Sequence, residues 1–199
     1  MSSYLVSDGR NLTVSLLVAA SGRPHYLGFG TGSGDTSPSD QALFTEISGS
    51  RISATVSQVT TATSGDTYQL VGTFTATSSG TLTNIGVFNT GGTPVQSQLI
   101  TPISSNSQSS IGINGYSGWP TSYPFNVQVS TEVMTVVSGN GSSIFYVTRG
   151  SNGSTALTSA AIGTTVTQVT GALFAKTNFG GLPITPGDIL QFTIGIQYQ

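Results

Sequence analysis

The residues able to carry out acid–base chemistry are few in this chain of 199 residues, and they are widely spaced. His25 is the single histidine, so a Ser-His-Asp triad would have to use it, and no Gly-x-Ser-x-Gly motif accompanies it. Glycoside hydrolysis needs two carboxylates about 5–10 Å apart in a cleft. The acids available for such a pair are Asp8, Asp35, Asp40, Glu46, Asp66, Glu132 and Asp188. Because no catalytic motif organises them, we predict that the protein is not an enzyme.

Turn chemistry offers a simpler role for several of these acids. Asp35, Asp66 and Asp188 each follow a glycine, and an aspartate in a turn accepts hydrogen bonds from nearby backbone amides. We predict this capping role for all three. Glu46 and Arg51 are spaced to pair across a turn, and we predict an ion pair there that attaches a short helix to the following strand.

A glycine-rich stretch at residues 28–34 is the one segment that resembles an anion cradle, because a glycine loop leading into a helix can bind phosphate. It lacks the Gly-Lys-[Ser/Thr] ending of a phosphate loop and the spacing of a dinucleotide fingerprint, so we interpret it as a structural turn. Asp35 and Asp40 could bind calcium, but the EF-hand pattern is absent. The chain has no cysteine for a thiolate site. The sequence thus predicts no metal and no cofactor.

The charge content narrows the classes of partner. Charged residues make up 6% of the chain, against about 25% in an average soluble domain, and the net charge is −2. The basic residues form no stripe, and they are Arg10, Arg23, Arg51, Arg149 and Lys176. Nucleic-acid binding by phosphate neutralisation is therefore not expected. A neutral surface of hydroxyls and amides has weak repulsion between copies and suits a protein that lies against many neighbours.

The N-terminal region gives no indication of membrane insertion. Residues 1–5 lack the basic and apolar regions of a signal peptide. The first apolar run, residues 12–20, is interrupted by Thr13 and Ser15. We predict no signal peptide, no transmembrane span and no membrane partner.

Three aromatic residues, Tyr116, Trp119 and Tyr123, cluster between glycines and prolines and are the candidate binding residues. Aromatic rings in such a loop could form a platform for carbohydrate or an anchor in a protein interface. The alternative is that Trp119 packs an inserted module against the main core, since rings this large are usually buried.

Alternation of apolar and polar side chains predicts strands along much of the chain. The clearest case is residues 189–198, where one side of an extended chain carries Leu190, Phe192, Ile194, Ile196 and Tyr198. Further strands are predicted at residues 12–20, 25–29, 51–60, 68–77 and 81–89. Ser37 followed by Pro38 predicts one short helix that runs to Glu46. We predict an all-β fold, an antiparallel β-sandwich or barrel-like core with this one helix.

The composition of the chain changes near residue 104. Residues 104–118 are rich in Ser, Asn and Gly and look like a linker. Strands are then predicted at residues 125–137, 144–149 and 163–169, and after residue 171 the composition again matches that of the first hundred residues. We predict a β core domain at 1–103 plus 171–199, with a small β module at 104–170 inserted in one of its loops.

The predicted core carries a series of short motifs, namely YLGFG at 26–30, LFTE at 43–46, Arg51, QVT at 58–60, LTNIGVF at 82–88, LFAK at 173–176 and GDILQF at 187–192. In this order they resemble a family of small structural proteins of tailed bacteriophage particles. The segments 133–137, 146–156 and 163–166 look like a β module common in phage virion proteins. In that module a histidine often precedes the final glycine, and residues 159–162 carry none.

The resemblance implies a β-rich, oligomeric virion component and supplies no catalytic residues. Our leading hypothesis is a capsid cement or decoration protein on the capsid surface, bound as a homotrimer between subunits of the major capsid protein. The alternative is a tail, baseplate or fibre component whose inserted module is a glycan-binding tip for the host surface. An enzyme such as a polysaccharide depolymerase is disfavoured by the missing motifs.

Overall fold

The structure is a computed structural model that describes residues 5–32, 34 and 36–198. Strands form 44% of the chain and helix 8%, which confirms the all-β class. The described residues contain one α-helix, α1 (Ser7–Ala19), and one 3₁₀ turn (Ser151–Gly153). The strands are β1 (Tyr26–Gly30), β2 (Ile52–Ser53), β3 (Thr55–Val59), β4 (Thr67–Thr75), β5 (Gly80–Phe88), β6 (Gln96–Gln98), β7 (Ser110–Gly112), β8 (Phe125–Val129), β9 (Glu132–Gly139), β10 (Ile144–Thr148), β11 (Thr165–Gln168), β12 (Leu173–Ile184) and β13 (Ile189–Gln197).

Two antiparallel sheets form the first unit, in the orders β12-β5-β1-β2 and β13-β4-β3. On one side the sheets are joined at Ala54, between β2 and β3, whose amide donates to the His25 carbonyl at 2.7 Å. The pair of sheets therefore curls into a half-barrel, as the predicted barrel-like core requires. On the other side β12 and β13 are edge strands, and within the described residues they do not pair with each other. The fully buried core side chains between the sheets include Leu27, Phe29, Tyr68, Leu70 and Leu82.

The final strand confirms the alternation in the sequence. β13 pairs with β4 in an unbroken register from Ile189 opposite Thr75 to Gln197 opposite Thr67. Leu190, Phe192, Ile194 and Ile196 pack against the core, and the residues between them are exposed. One edge of this strand remains unpaired, so β13 ends a sheet rather than joining two.

The N-terminal apolar segment is a helix, so the strand predicted at residues 12–20 is wrong. α1 packs on β3 and β4, with Val14 in the core and Leu17 and Val18 beside it. These residues recur at the i, i+3 and i+4 positions, which share one face of a helix. Leu12, which contributed to the apparent alternation, lies on the opposite, exposed face.

The helix predicted at residues 37–46 is also wrong. The carboxylate of Asp40 accepts a hydrogen bond from the amide three residues before it, as at a helix start. The next two amides, those of Gln41 and Ala42, donate instead to Oε1 of Gln128 at 2.8 and 2.7 Å. A helix would have used these amides to reach carbonyls one turn back. A distant side chain thus captures the donors, and the segment stays irregular.

A six-stranded antiparallel sheet, ordered β6-β11-β8-β9-β10-β7, forms the second unit. The single strand predicted at residues 125–137 is in fact the hairpin β8–β9, whose turn holds Ser130 at a φ of 52°. Residues 104–118 are not a linker, because Ile111 and Ile113 are buried in the core of this unit. The sheet also includes β6, and buried Leu99, which precede the predicted boundary at residue 104.

Asp66 organises the turn between β3 and β4. Its carboxylate accepts hydrogen bonds from the amides of Thr61, Ala62 and Thr63 at 2.9–3.0 Å, and from the side-chain amide of Gln197 at 2.9 Å. These bonds hold the pKa of Asp66 far below its ordinary value, and the bond from the Thr63 amide has the largest effect. The predicted capping role is confirmed here and at Asp188, which accepts from the Thr185 amide. Asp35 lies outside the described residues.

Replacing Asp66 by asparagine should make stability respond differently to acid. A carboxylate with a depressed pKa in the folded state contributes stability above about pH 4, and this contribution is lost as the pH falls toward the folded-state pKa. We expect Asp66→Asn to be clearly less stable than the parent at pH 7, and the difference to narrow steadily below pH 4. Urea unfolding at pH 7, 4, 3 and 2 measures it, with the exposed Asp8→Asn as control. An equal deficit at pH 7 and pH 2 would contradict the capping account.

Candidate functional site

The Glu46–Arg51 ion pair, predicted from the sequence, is confirmed. Nε and Nη2 of Arg51 donate to the two carboxylate oxygens at 2.7 and 3.0 Å, and both side chains are almost fully buried. Burial raises the pKa of Glu46, although the Arg51 guanidinium opposes the shift. Nη1 of Arg51 also donates to the carbonyls of Thr90 and Thr170 at 3.3 and 2.8 Å. These carbonyls lie where the chain leaves the first unit and returns, so the pair fixes both crossings.

A second buried ion pair, Glu132–Arg149, lies inside the second unit. Nε and Nη2 of Arg149 each donate to a different carboxylate oxygen at 2.7 Å. The carboxylate also accepts from the amides of Gly150 and Leu157 at 2.8 and 2.9 Å. No motif in the sequence predicted this pair. The available signal was that Glu132 is the only acid between residues 67 and 187, and that Arg149 is the only base between residues 52 and 175.

The two units meet at Asp40, Lys176 and Gln128. Nζ of Lys176 donates to Asp40 at 2.9 Å and lies 3.2 Å from the centre of the Phe44 ring. Burial lowers the pKa of Lys176, and Asp40 opposes this shift. Nε2 of Gln128 donates to Asp40 at 3.3 Å and to the Ser130 carbonyl at 2.9 Å. No motif in the sequence identified Gln128, because its role depends on a loop nearly ninety residues away.

Most of the charged side chains therefore form ion pairs or hydrogen bonds with other groups of the same chain. The sequence has five basic and seven acidic residues. Seven of these twelve side chains are withdrawn into ion pairs or a turn cap, and they are Asp40, Glu46, Arg51, Asp66, Glu132, Arg149 and Lys176. Such buried, paired carboxylates are poorly placed for acid–base chemistry on a substrate. The surface that remains is formed largely by hydroxyl, amide and apolar groups.

The other candidates for chemistry are placed as follows. Nδ1 of His25 lies 2.8 Å from the Arg23 carbonyl, and its ring contacts Tyr26. The glycine-rich stretch packs against residues 44–45: the Gly32 amide donates to the Phe44 carbonyl at 3.0 Å. A Cβ at Gly32 would lie 2.7 Å from that carbonyl oxygen, so glycine is required by close approach of two backbones. Among the described residues, no group of three or more His, Asp or Glu side chains could hold a metal ion.

Of the candidate binding residues, Trp119 lies in the core of the second unit, and Tyr116 and Tyr123 are partly buried against that core. Trp119 is 5% exposed and lies between the rings of Phe125 and Phe145, with centroids 6.1 and 5.0 Å away. The hydroxyls of Tyr116 and Tyr123 hydrogen-bond to each other, and burial raises the pKa of Tyr116 to about 12. These three side chains are thus brought together. The Trp119 ring packs within its own unit, and little of it is available to a ligand.

A polar crevice of about 250 Å³ separates the units beside this joint. Its lining includes Thr45, Gln128, Ser130 and Thr165, and the described residues contribute no charged side chain to it. Thr45 and Ser130 have φ values of 47° and 52°, which is unusual for residues other than glycine. The hydroxyls of Thr45 and Thr165 lie 3.3 Å apart. The crevice offers neutral hydrogen-bonding groups and no acid or base.

The open side of the half-barrel is a second surface feature. A groove of about 320 Å³ lies between the edge strands β12 and β13, with Ile85 and Val87 at its base. β13 carries no charged residue from Ile189 to Gln197 and has a free backbone edge. Natural edge strands are normally protected by charges, prolines or bulges, because a bare edge can pair with another chain. β13 has none of these within its nine-residue ladder.

Comparisons with protein-family models, curated proteins and solved structures found no match to this chain. In the part of the chain that the structure describes, no helix has the length and apolar character needed to cross a membrane.

Proposed function

We propose that this protein is a capsid decoration protein of a tailed bacteriophage, which binds as a homotrimer between subunits of the major capsid protein. The observation that carries the proposal is the withdrawal of most charged side chains from the surface. What remains is a β-rich body covered by hydroxyls, amides and scattered apolar groups. Such a surface can lie close to many neighbours without the desolvation of charges that a typical soluble surface would require.

The mechanism of shell stabilisation is linkage. A protein that binds the assembled shell and not its dissociated subunits raises the stability of the shell by mass action. At a free concentration one hundred times the dissociation constant, each site contributes about 2.7 kcal/mol. No reaction and no cofactor are needed, in keeping with the lack of a catalytic motif in the sequence.

We place the contact with the shell at the free edge of β13. Its backbone donors and acceptors can add to a strand of a capsid subunit, a mode of binding that draws its affinity from main-chain hydrogen bonds. The outward-facing residues Gln191, Thr193 and Gly195 are small or neutral and let a second strand approach.

Antibody labelling of intact particles tests the location. Particles of the phage that encodes this protein are labelled and viewed by negative-stain electron microscopy. Label over the head is the expected result, and purified protein should bind mature empty shells at micromolar concentration. Label at the tail, or failure to bind shells, would contradict the proposal.

Thr193→Lys should weaken shell binding without unfolding the protein. The position is exposed in the middle of β13, and a lysine on an edge strand disfavours pairing because its charge would lose water on contact. We expect a loss of roughly tenfold or more in affinity for shells, measured by co-sedimentation. Ser142→Lys adds the same charge at an exposed hairpin turn of the second unit and should bind as the parent does. Equal affinities for both variants would place the contact elsewhere.

The tail or fibre hypothesis receives less support from the geometry. It relied on Trp119 as a glycan platform, and that ring is 5% exposed. Sugar recognition by stacking needs an open aromatic face, which Trp119 does not present.

A further inference from the structure

The helix α1 has two apolar faces. Val14 is fully buried against the sheet, with Leu17 and Val18 beside it. Leu12 and Leu16 are 59% and 62% exposed, and each is about 160° around the helix from Val14 at 100° per residue. A surface helix normally carries polar residues on the face opposite its core contact. α1 instead presents leucines there.

Leu5 and Gly9 extend this outer apolar stripe by a turn. A Cβ at Gly9 would lie 2.9 Å from Cδ1 of Leu5, so the leucine side chain rests on the helix where Gly9 leaves room. Glycine inside a helix is unfavourable relative to alanine, and nothing in the φ of Gly9 requires it. Its place under Leu5 supplies a reason. Leu5, Leu12 and Leu16 together form what we call the α1 seam.

The N-terminal end of α1 is poorly adapted to water. Val6 occupies the N-cap position, makes no side-chain cap hydrogen bond and is 68% exposed. Ser, Thr, Asp or Asn is preferred at that position because its side chain satisfies free amides. A helix of 13 residues depends on packing rather than on its own propensity. An uncapped helix with an apolar outer face is consistent with a second packing partner.

We propose that the partner is α1 of other copies of this chain, packed seam to seam around a three-fold axis. Within the helix, positions 9, 12 and 16 are spaced 3 and 4, the repeat by which like helices interlock, and Leu5, which precedes the helix, packs on Gly9. The seam contains no charge, so identical seams meet without repulsion, and Asp8 and Arg10 lie to its sides. The parallel orientation and the number of copies rest on the proposed function, because copies that face one shell are related by rotation.

Sedimentation of the purified full chain tests self-association without any shell. We expect the parent to sediment as three chains of 20.3 kDa at a concentration of about 100 μM, well above a micromolar dissociation constant, and Leu12→Gln/Leu16→Gln to sediment as one. Val137→Gln/Ile162→Gln removes two exposed aliphatic side chains from the second unit and should remain trimeric. A monomeric parent, or a trimeric seam variant, would overturn the proposal.

Cysteine crosslinking tests the orientation, and the absence of native cysteines makes the result clean. In a parallel arrangement position 16 of one copy meets position 16 of the next, whereas an antiparallel pair centred on Leu12 would bring it opposite Asp8. We therefore expect Leu16→Cys to give a covalent dimer band on non-reducing gels after mild oxidation. Val137→Cys, exposed on the second unit, should stay monomeric on the same gel. No crosslink at position 16 would contradict parallel packing.

These results separate the two proposals. Trimers that form through the seam but fail to bind shells would leave the seam in place and remove the decoration role. A parent that binds shells but is monomeric in solution and gives no crosslink would leave the decoration role in place and remove the seam.

Discussion

Replacing Arg149 by methionine should lower the free energy of unfolding by about 3–5 kcal/mol, the range found when one partner of a buried ion pair is removed. The variant leaves the Glu132 carboxylate, whose side chain has no exposed surface, without its cation. Arg149 also donates to the carbonyls of Ser105, Gln108 and Leu157, which would lose a donor. Urea unfolding followed by fluorescence measures the effect, since Trp119 is the single tryptophan and lies in this unit.

Arg10→Met is the matched control for this experiment. It removes the same positive charge from α1, where Arg10 donates one exposed hydrogen bond to the Leu5 carbonyl. We expect a change within about 0.5 kcal/mol, as for most surface substitutions. A similar loss in both variants would show that net charge, not the buried pair, decides stability.

Trp119→Ala should destabilise the protein by about 3–5 kcal/mol, as for other large-to-small substitutions of buried aromatic residues. The ring contacts Phe125 and Phe145, and its removal leaves a cavity among side chains that are tightly packed. Thermal unfolding by circular dichroism is the measurement, because the variant has no tryptophan to report fluorescence. Trp119→Phe retains much of the ring volume and should lose less.

Tyr146→Ala provides the comparison, since Tyr146 is 46% exposed on the same unit. We expect it to lose much less stability than Trp119→Ala. If Trp119→Ala unfolded like the parent and lost binding to a surface glycan, the tryptophan would be a ligand platform. That outcome would favour a tail-associated role over capsid decoration.

The two ion pairs and Asp40–Lys176 explain how so few charges can specify this architecture. Glu46–Arg51 ties the two chain crossings together, and Glu132–Arg149 ties loops of the second unit to its sheet. Buried pairs contribute modestly to net stability but penalise arrangements that leave one charge alone. Their arrangement therefore favours one relative placement of the loops and strands.

Prediction from sequence succeeded where the signal is local. β13 and its partner β4 were predicted from alternation alone, since a strand with one face on a core must alternate. The capping roles of Asp66 and Asp188 followed from their position after glycine in a turn. The Glu46–Arg51 pair followed from opposite charges five residues apart.

Prediction failed where contacts with a distant part of the chain determine the local conformation. The alternation of Leu12 and Leu16 with polar residues suggested a strand, but α1 uses Val14, Leu17 and Val18 to pack on the sheet. The hydrogen bond typical of a helix start does form between the Ser37 amide and the Asp40 carboxylate. The amides that would continue the helix donate instead to the side chain of Gln128. Neither outcome can be read from a window of neighbouring residues.

By itself, the sequence determined an all-β chain with few charges, strands of period two and aspartates that cap turns, because backbone preference and side-chain alternation are properties of neighbouring residues. Only the tertiary structure decided that Trp119 is enclosed, that Glu132 and Arg149 meet, and that β12 and β13 leave one side of the half-barrel open. The physical reason is that burial and pairing depend on which surfaces come together in space. Those surfaces are supplied by segments far apart in the chain.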